Sequence, residues 1–315
     1  MDKYTNAILS ILKDQFIKVN GEIPFQSEEG MRVFYTEKLN DNLYHPMDAN
    51  AFAAYSCGNG DEIGSGKMQA LRSSSALTYN LFWDQIAVVN NGQGTPVENG
   101  VYKVEFEKQY HTLKPSVSRF PANLDAFLFD KHSKQAVAVE MKMTEWIFNK
   151  PGMLKEAYLD PENYIDDAAG DVFSLLAKEL ILNNDYEDPE MKKAEYLGIF
   201  SRYDAFQMFK HTVACYTAIV KEEPRYIEKL TLVNCAWTIS KPELLGEKLK
   251  ERYLYEEQAE LAEFQQFKEI MKPVRDLFKR QGVQFDICFF TFDEFLQMFL
   301  KTNEELDYLR RYTLV

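Results

Sequence analysis

The chain has 315 residues, 46% hydrophobic and 27% charged, which excludes wholesale disorder and collagen-like repeats and is ample for a sizeable core. The 36 basic and 49 acidic residues leave a net charge of -13. That disfavours a protein that coats nucleic acid non-specifically, while leaving a local basic site open.

Residues 1–20 carry apolar residues at helical spacing: Ile8, Ile11, Leu12 and Phe16. The glycine-rich stretch Cys57–Gly66 then closes a mainly helical N-terminal region, 1–66. Its Gly64-Ser-Gly-Lys67 is not a P-loop, since Asp61 and Met68 stand where glycine and Ser or Thr are required. Ser73–Trp83 reads as a serine-capped helix. Asn90–Gly100 is turn-rich, and Val101–Tyr110 alternates as a strand, with Glu105, Glu107 and Gln109 on its polar face. Asn123–Asp130 and Gln135–Met143 form a hairpin about a polar turn.

The segment around 147–200 is punctuated by Pro151, Gly152, Pro161, Gly170 and Pro189 and reads as an insertion holding one helix. Asp204–Val220 is a long helix, and Leu230–Trp237 is a strand that completes a core over 67–237. The remainder, 238–315, is a helical and β extension. In it Pro242–Phe278 breaks near Pro273 and Gln284–Thr291 is an apolar strand. Cys57, Cys215, Cys235 and Cys288 form no CxxC pair, so reduced thiols are expected. With no apolar run of about 18 residues, the expectation is a cytoplasmic protein that does not enter membranes.

The chemistry concentrates in Pro121-Ala-Asn-Leu-Asp125 and Glu140-Met-Lys142. Strand alternation puts Glu140 and Lys142 on one face, and Val137, Val139 and Met141 on the other. Hairpin pairing can bring Asp125 beside Glu140. A divalent cation, Mg²⁺ or in its place Mn²⁺, would relieve the repulsion between the two carboxylates. Lys142 would orient a water or stabilise developing charge, and Lys142→Ala is expected to leave the fold intact.

Asp125…Glu140-x-Lys142 resembles the signature of the PD-(D/E)XK, or restriction endonuclease-like, nuclease superfamily. The order of helix, three strands, helix and strand resembles that core as well. SSSALTYNLF and Phe106-Glu107 look like a bacterial branch of it. The motif's proline is displaced, with Pro121 four residues before Asp125. The resemblance implies an α/β fold: a restriction endonuclease-like core, a mixed central sheet flanked by helices, with helical N- and C-terminal additions. It implies Asp125, Glu140 and Glu107 as metal ligands, Lys142 at the attacking water, and Gln207 on the following helix. Glu105 is an alternative to Glu107, Glu145 a weaker metal candidate, and His211 is placed nearer the cleft mouth. The implied partner is nucleic acid, DNA before RNA, and a homodimer is compatible with it.

The implied activity is Mg²⁺- or Mn²⁺-dependent hydrolysis of phosphodiester bonds. A silent nucleic-acid-binding or scaffold protein on the same fold is the alternative. An unrelated α/β protein with a Glu140–Lys142 surface pair is a third.

Overall fold

A computed structural model describes residues 1–27, 29–57, 61–90, 94–119, 121–148, 153–181, 195–221 and 226–313. Helix α1 spans Lys3–Asn20 and α2 spans Ala49–Cys57. The Asp2 side chain accepts from Thr5 N to start α1, which buries Tyr4, Ile8, Leu9, Leu12 and Phe16. Helix α3, Ser74–Leu81, starts where the Ser73 hydroxyl accepts from Ala76 N. Strands β1 (Ile86–Val89), β2 (Gly100–Tyr110), β3 (Ala122–Asp130) and β4 (Gln135–Lys142) then run as an antiparallel meander. The β3–β4 turn is set by Asp130, which accepts from His132 N and Ser133 Oγ.

A small antiparallel pair, β5 (Met153–Lys155) and β6 (Glu195–Leu197), brackets α4 (Asp167–Glu179). Of the punctuating residues of this insertion, Pro151, Gly152 and Pro189 lie outside the described residues. Helix α5 (Ala205–Val220) crosses from β4 to β7 (Lys229–Ala236), which pairs parallel with β4. Helices α6 (Glu247–Ile270) and α7 (Val274–Arg280) lead to β8 (Gln284–Thr291), parallel to β7. The break between α6 and α7 falls at Met271–Pro273, where a proline cannot continue the ladder. Helices α8 (Phe292–Leu296) and α9 (Asn303–Thr313) follow.

The architecture is α/β, with a mixed six-stranded sheet in the order β1-β2-β3-β4-β7-β8. Every residue of β4 is buried, as expected of a central strand covered on both faces. On one face Val137, Val139, Met141 and Val233 pack with Leu9, Leu77, Phe295 and Tyr312 of the terminal helices. The N- and C-terminal segments therefore share one core. On the other face Ala136, Ala138, Leu230 and Leu232 pack with Phe173, Phe209, Phe267 and Phe278 of α4 to α7. Strand β1 is missing from the sequence reading. It is four residues long, lies at the sheet edge and is apolar throughout, Ile86-Ala-Val-Val89, so no polar–apolar alternation marks it.

Candidate active site

The strand register aligns the acidic residues. Phe106 opposes Ala126 and Lys108 opposes Leu124, which sets Glu107 level with Asp125. Ala126 opposes Val139, and one further step sets Asp125 level with Glu140. Glu140 in turn opposes Asn234 of β7. Glu107, Asp125, Glu140 and Asn234 thus form a row across four strands.

The backbone is irregular at this row. Glu107 adopts φ 48°, the left-handed region that a mid-strand glutamate rarely enters. Side-chain parity changes there. Tyr102, Val104 and Phe106 face the terminal helices, whereas Tyr110 faces α5. On β3 the same change separates Ala126 from Leu124. Simple alternation therefore fails for Glu105, Glu107 and Gln109. Glu105 instead pairs with Lys108 at 2.7 Å and Lys103 at 3.4 Å. Glu107 accepts from Asn123 Nδ2 at 3.2 Å. The alternative of Glu105 as a site residue is not supported by this geometry.

Glu140 and Lys142 share a face and are in contact, Nζ to Oε1 at 2.8 Å, with 4% and 9% of their surfaces exposed. This is a buried pair, not a surface one. The α5 cap aims the next partner: Asp204 Oδ1 accepts from Gln207 N, and Phe206, Phe209 and Val213 are buried in the core below. Gln207 Nε2 then donates to Glu140 Oε1 at 2.6 Å, while Gln207 Oε1 accepts from Lys142 Nζ. His211, one turn on, meets Glu140 Oε2 through Nε2 at 2.9 Å. It is 2% exposed, which corrects the expectation of a place near the cleft mouth. Its Nδ1 has no hydrogen-bond partner. Glu145 turns back to accept from Met143 N at 2.8 Å and acts as a local cap.

The electrostatics divide the row in two. Burial alone would raise the Glu140 carboxyl, but the Lys142 charge and the His211 contact outweigh it and hold it at about 2. Burial would lower Lys142, but Glu140, Asp204 and Glu145 push its pKa up. For Asp125 and Glu107 the nearby cations, Lys142 and Lys67, are outweighed. Burial, then the charges of Glu140 and Glu107, push Asp125 well above the usual carboxylate range; its bond from Met141 N, 2.6 Å from Oδ2, opposes this. Burial, then Glu62 and Glu140, pushes Glu107 up to about 7.

The donor set can be compared with what Mg²⁺ requires. Among the described residues, no group of three or more His, Cys, Asp or Glu side chains is placed to hold a metal ion. Both Glu140 oxygens are engaged, by Lys142, Gln207 and His211. Asp125 and Glu107, by contrast, are hard oxygen donors whose mutual repulsion a cation would relieve. Mg²⁺ needs only one or two carboxylates and keeps several waters, so the set fits a water-rich ion.

Beyond Lys142 lies a pocket of about 190 Å³ lined by Gln207, Asn234, Arg202, Asp204 and Glu260. Asn234 is 1% exposed and its Nδ2 has no partner. Burial, then Glu263 and Glu257, pushes Glu260 well above the usual range. Sequence reasoning missed Asn234, Glu62 and Glu260. Asn234 alone carried a signal, as an amide inside the apolar strand Leu230–Trp237. No family model matches the chain, and no match to it was found among curated proteins or solved structures.

Proposed function

We propose that this protein hydrolyses phosphodiester bonds of nucleic acid, DNA before RNA, with a divalent cation, Mg²⁺ or Mn²⁺. The observation that carries the reading is the row of Glu107, Asp125 and Glu140 beside the buried Lys142–Gln207–His211 cluster. Such an arrangement, on an α/β scaffold with the D…ExK spacing, suits a restriction endonuclease-like site. Asp125 and Glu107 would hold the cation, beside a Glu140 whose two oxygens are held by Lys142, Gln207 and His211. When bound, the cation lowers the pKa of a water and offsets charge on the phosphoryl oxygens.

The chain's own residues account for the rest. Lys142 Nζ gives two of its three hydrogens to Glu140 and Gln207. The third, with Asn234 Nδ2, is available to a water or phosphoryl oxygen in the adjoining pocket. Gln207 holds the amine and carboxylate in one geometry without adding charge. His211 anchors the far oxygen of Glu140 and keeps it from rotating.

One observation favours a second reading, a silent nucleic-acid-binding protein: Glu140 is already saturated with donors. Cleavage assays on single- and double-stranded DNA and RNA with Mg²⁺ and Mn²⁺ separate the two. Wild type should cut at least one substrate, and Lys142→Ala should lose about 10²-fold or more of that activity. Wild type silent on every substrate, while still binding one, would favour the second reading. Undiminished cutting by Lys142→Ala would assign the activity elsewhere.

A further inference from the structure

Helix α6 passes the cavity of about 190 Å³ beside Lys142 and carries Glu256, Glu260 and Glu263 about one turn apart on a single stripe. The two outer carboxylates are fully used. Glu256 accepts from Tyr4 OH at 2.7 Å and Arg252 Nε at 2.9 Å, and pairs with Arg202. Glu263 accepts from the backbone N of Ser201, Arg202 and Tyr203. Glu260, between them, lines the cavity, is 2% exposed, and has no hydrogen bond or ion pair to any described residue.

A carboxylate so placed would be a buried charge without a partner, whereas the neutral acid carries no charge and has an O–H to donate. The surroundings favour the acid: burial, Glu263 and Glu257 of α6, and Glu145 at the cavity wall all hold the proton on, and Lys142 of β4 opposes them. Of the other charged wall residues, Arg202 is held by Glu256 and Ile147 O, and Asp204 caps α5. Two further buried polar groups lack partners: Asn234 Nδ2 on the wall, and Tyr203 OH, from the residue between Arg202 and Asp204. Lys142 Nζ keeps one hydrogen beyond those given to Glu140 and Gln207. A cavity of this size and lining has the room and the polar partners for several waters between Glu260 and Lys142.

We propose that Glu260 is the proton source for the leaving group: its carboxyl proton passes through water in this cavity to the leaving oxygen of a phosphodiester held at Lys142. The inference deepens the hydrolase reading and rests on it for the place of the scissile phosphate. As the oxygen of the attacking water bonds to phosphorus, the bond from phosphorus to the leaving oxygen breaks and its electron pair stays on that oxygen. The proton relayed from Glu260 neutralises the leaving oxygen, and the attacking water's own proton goes to solvent. The Glu260 carboxylate then regains a proton from solvent through the cavity. Lys142 is a poor substitute, since Glu140, Asp204 and Glu145 outweigh burial and keep its amine protonated.

The test compares wild type, Glu260→Gln and Glu260→Asp on oligonucleotides with ordinary phosphodiesters and on matched ones with sulfur in place of the bridging oxygen, 3′ and 5′ in separate preparations, in Mn²⁺. A thiolate leaves without needing a proton, so the sulfur substrate bypasses the acid. Glutamine matches the neutral acid in shape and charge, and circular dichroism melting confirms that it folds. Glu260→Gln should lose at least about tenfold of turnover on the ordinary substrate yet stay within about threefold of wild type on the sulfur one. Glu260→Asp, which keeps an acid, should lose less. The wild-type rate on the ordinary substrate should fall as rising pH deprotonates Glu260, and that fall should be missing from Glu260→Gln. Equal losses on both substrates, or no loss on the ordinary one, would overturn the inference. Infrared spectra of the metal-free proteins at neutral pH read the group directly: the protonated-carboxyl C=O band should be weaker in Glu260→Gln than in wild type. An unchanged band in a wild type that cuts would overturn the proton source alone. A wild type that cuts no substrate, with the band difference present, would overturn the hydrolase reading and the relay that rests on it, leaving Glu260 a buried neutral acid.

Discussion

Glu107 shows how a single residue couples backbone, charge and pH. Its left-handed φ keeps it level with Asp125 at the point where both strands change parity. Its pKa stands raised to about 7, above the ordinary 4.5. The folded state therefore holds a proton that the unfolded chain releases, and Glu107's contribution to stability falls as pH rises between about 4.5 and 7. A cation bound at the proposed site would compete with that proton. Metal-free wild type should lose more melting temperature from pH 5.5 to pH 7.5 than Glu107→Gln does, and Mn²⁺ should stabilise wild type more at the higher pH. Identical pH profiles for the two proteins would remove Glu107 from the coupled set.

Lys142→Ala is not the innocuous change the sequence suggests, because it strands Glu140 in the interior. Breaking a buried pair costs about 3–5 kcal/mol, reduced here by the Gln207 and His211 bonds that remain. Cleavage assays of that variant therefore belong well below its melting temperature.

At the scale of elements, α5 is the part that organises the site. The Asp204 cap sets where the helix begins, and its buried stripe sets how it is rotated, so Gln207 and His211 both reach Glu140. Gln207→Ala should reduce turnover at least about tenfold while costing only about 1–2 kcal/mol of stability, since it removes hydrogen bonds but no core volume. Matched activity and melting curves check this, and a stability loss with unchanged turnover would reduce Gln207 to a packing role.

The long elements were legible because periodicity and caps agreed: α1, α3, the β3–β4 hairpin, α5, and the break between α6 and α7. The same-face placement of Glu140 and Lys142 followed from β alternation alone. Parity on β2 did not, because the turn at Glu107 is a backbone choice with no side-chain signature. The burial of His211 was hidden for another reason. A helical wheel ranks residues by hydropathy, and a histidine bonded to a buried carboxylate looks like a surface residue. Asn234 is brought to Glu140 by a parallel pairing between residues 94 positions apart in the sequence, and no local pattern encodes that.

Across the whole molecule, the two chain ends clamp the face of the sheet opposite α5. Arg311 of α9 is 2% exposed, donates to Asn42 Oδ1 and Tyr308 OH, and lies over the rings of Phe16, Tyr308 and Tyr312. Arg311→Ala should destabilise the fold by about 3 kcal/mol, through a lost charged hydrogen bond and desolvated cation–π contacts, without altering Mn²⁺ affinity of the folded protein. Urea unfolding and metal titration of the same sample check both halves. No helix among the described residues is long and apolar enough to cross a membrane.

The proposed site depends on the carboxylate row holding a divalent cation through Asp125. Calorimetric titration of Mn²⁺ into wild type and Asp125→Asn at pH 7.5 tests it most directly. The amide variant can keep an acceptor for Met141 N while removing the charge. Saturable binding to wild type and at least tenfold weaker binding to Asp125→Asn are expected. Equal binding by the two proteins, or none by wild type, would contradict it.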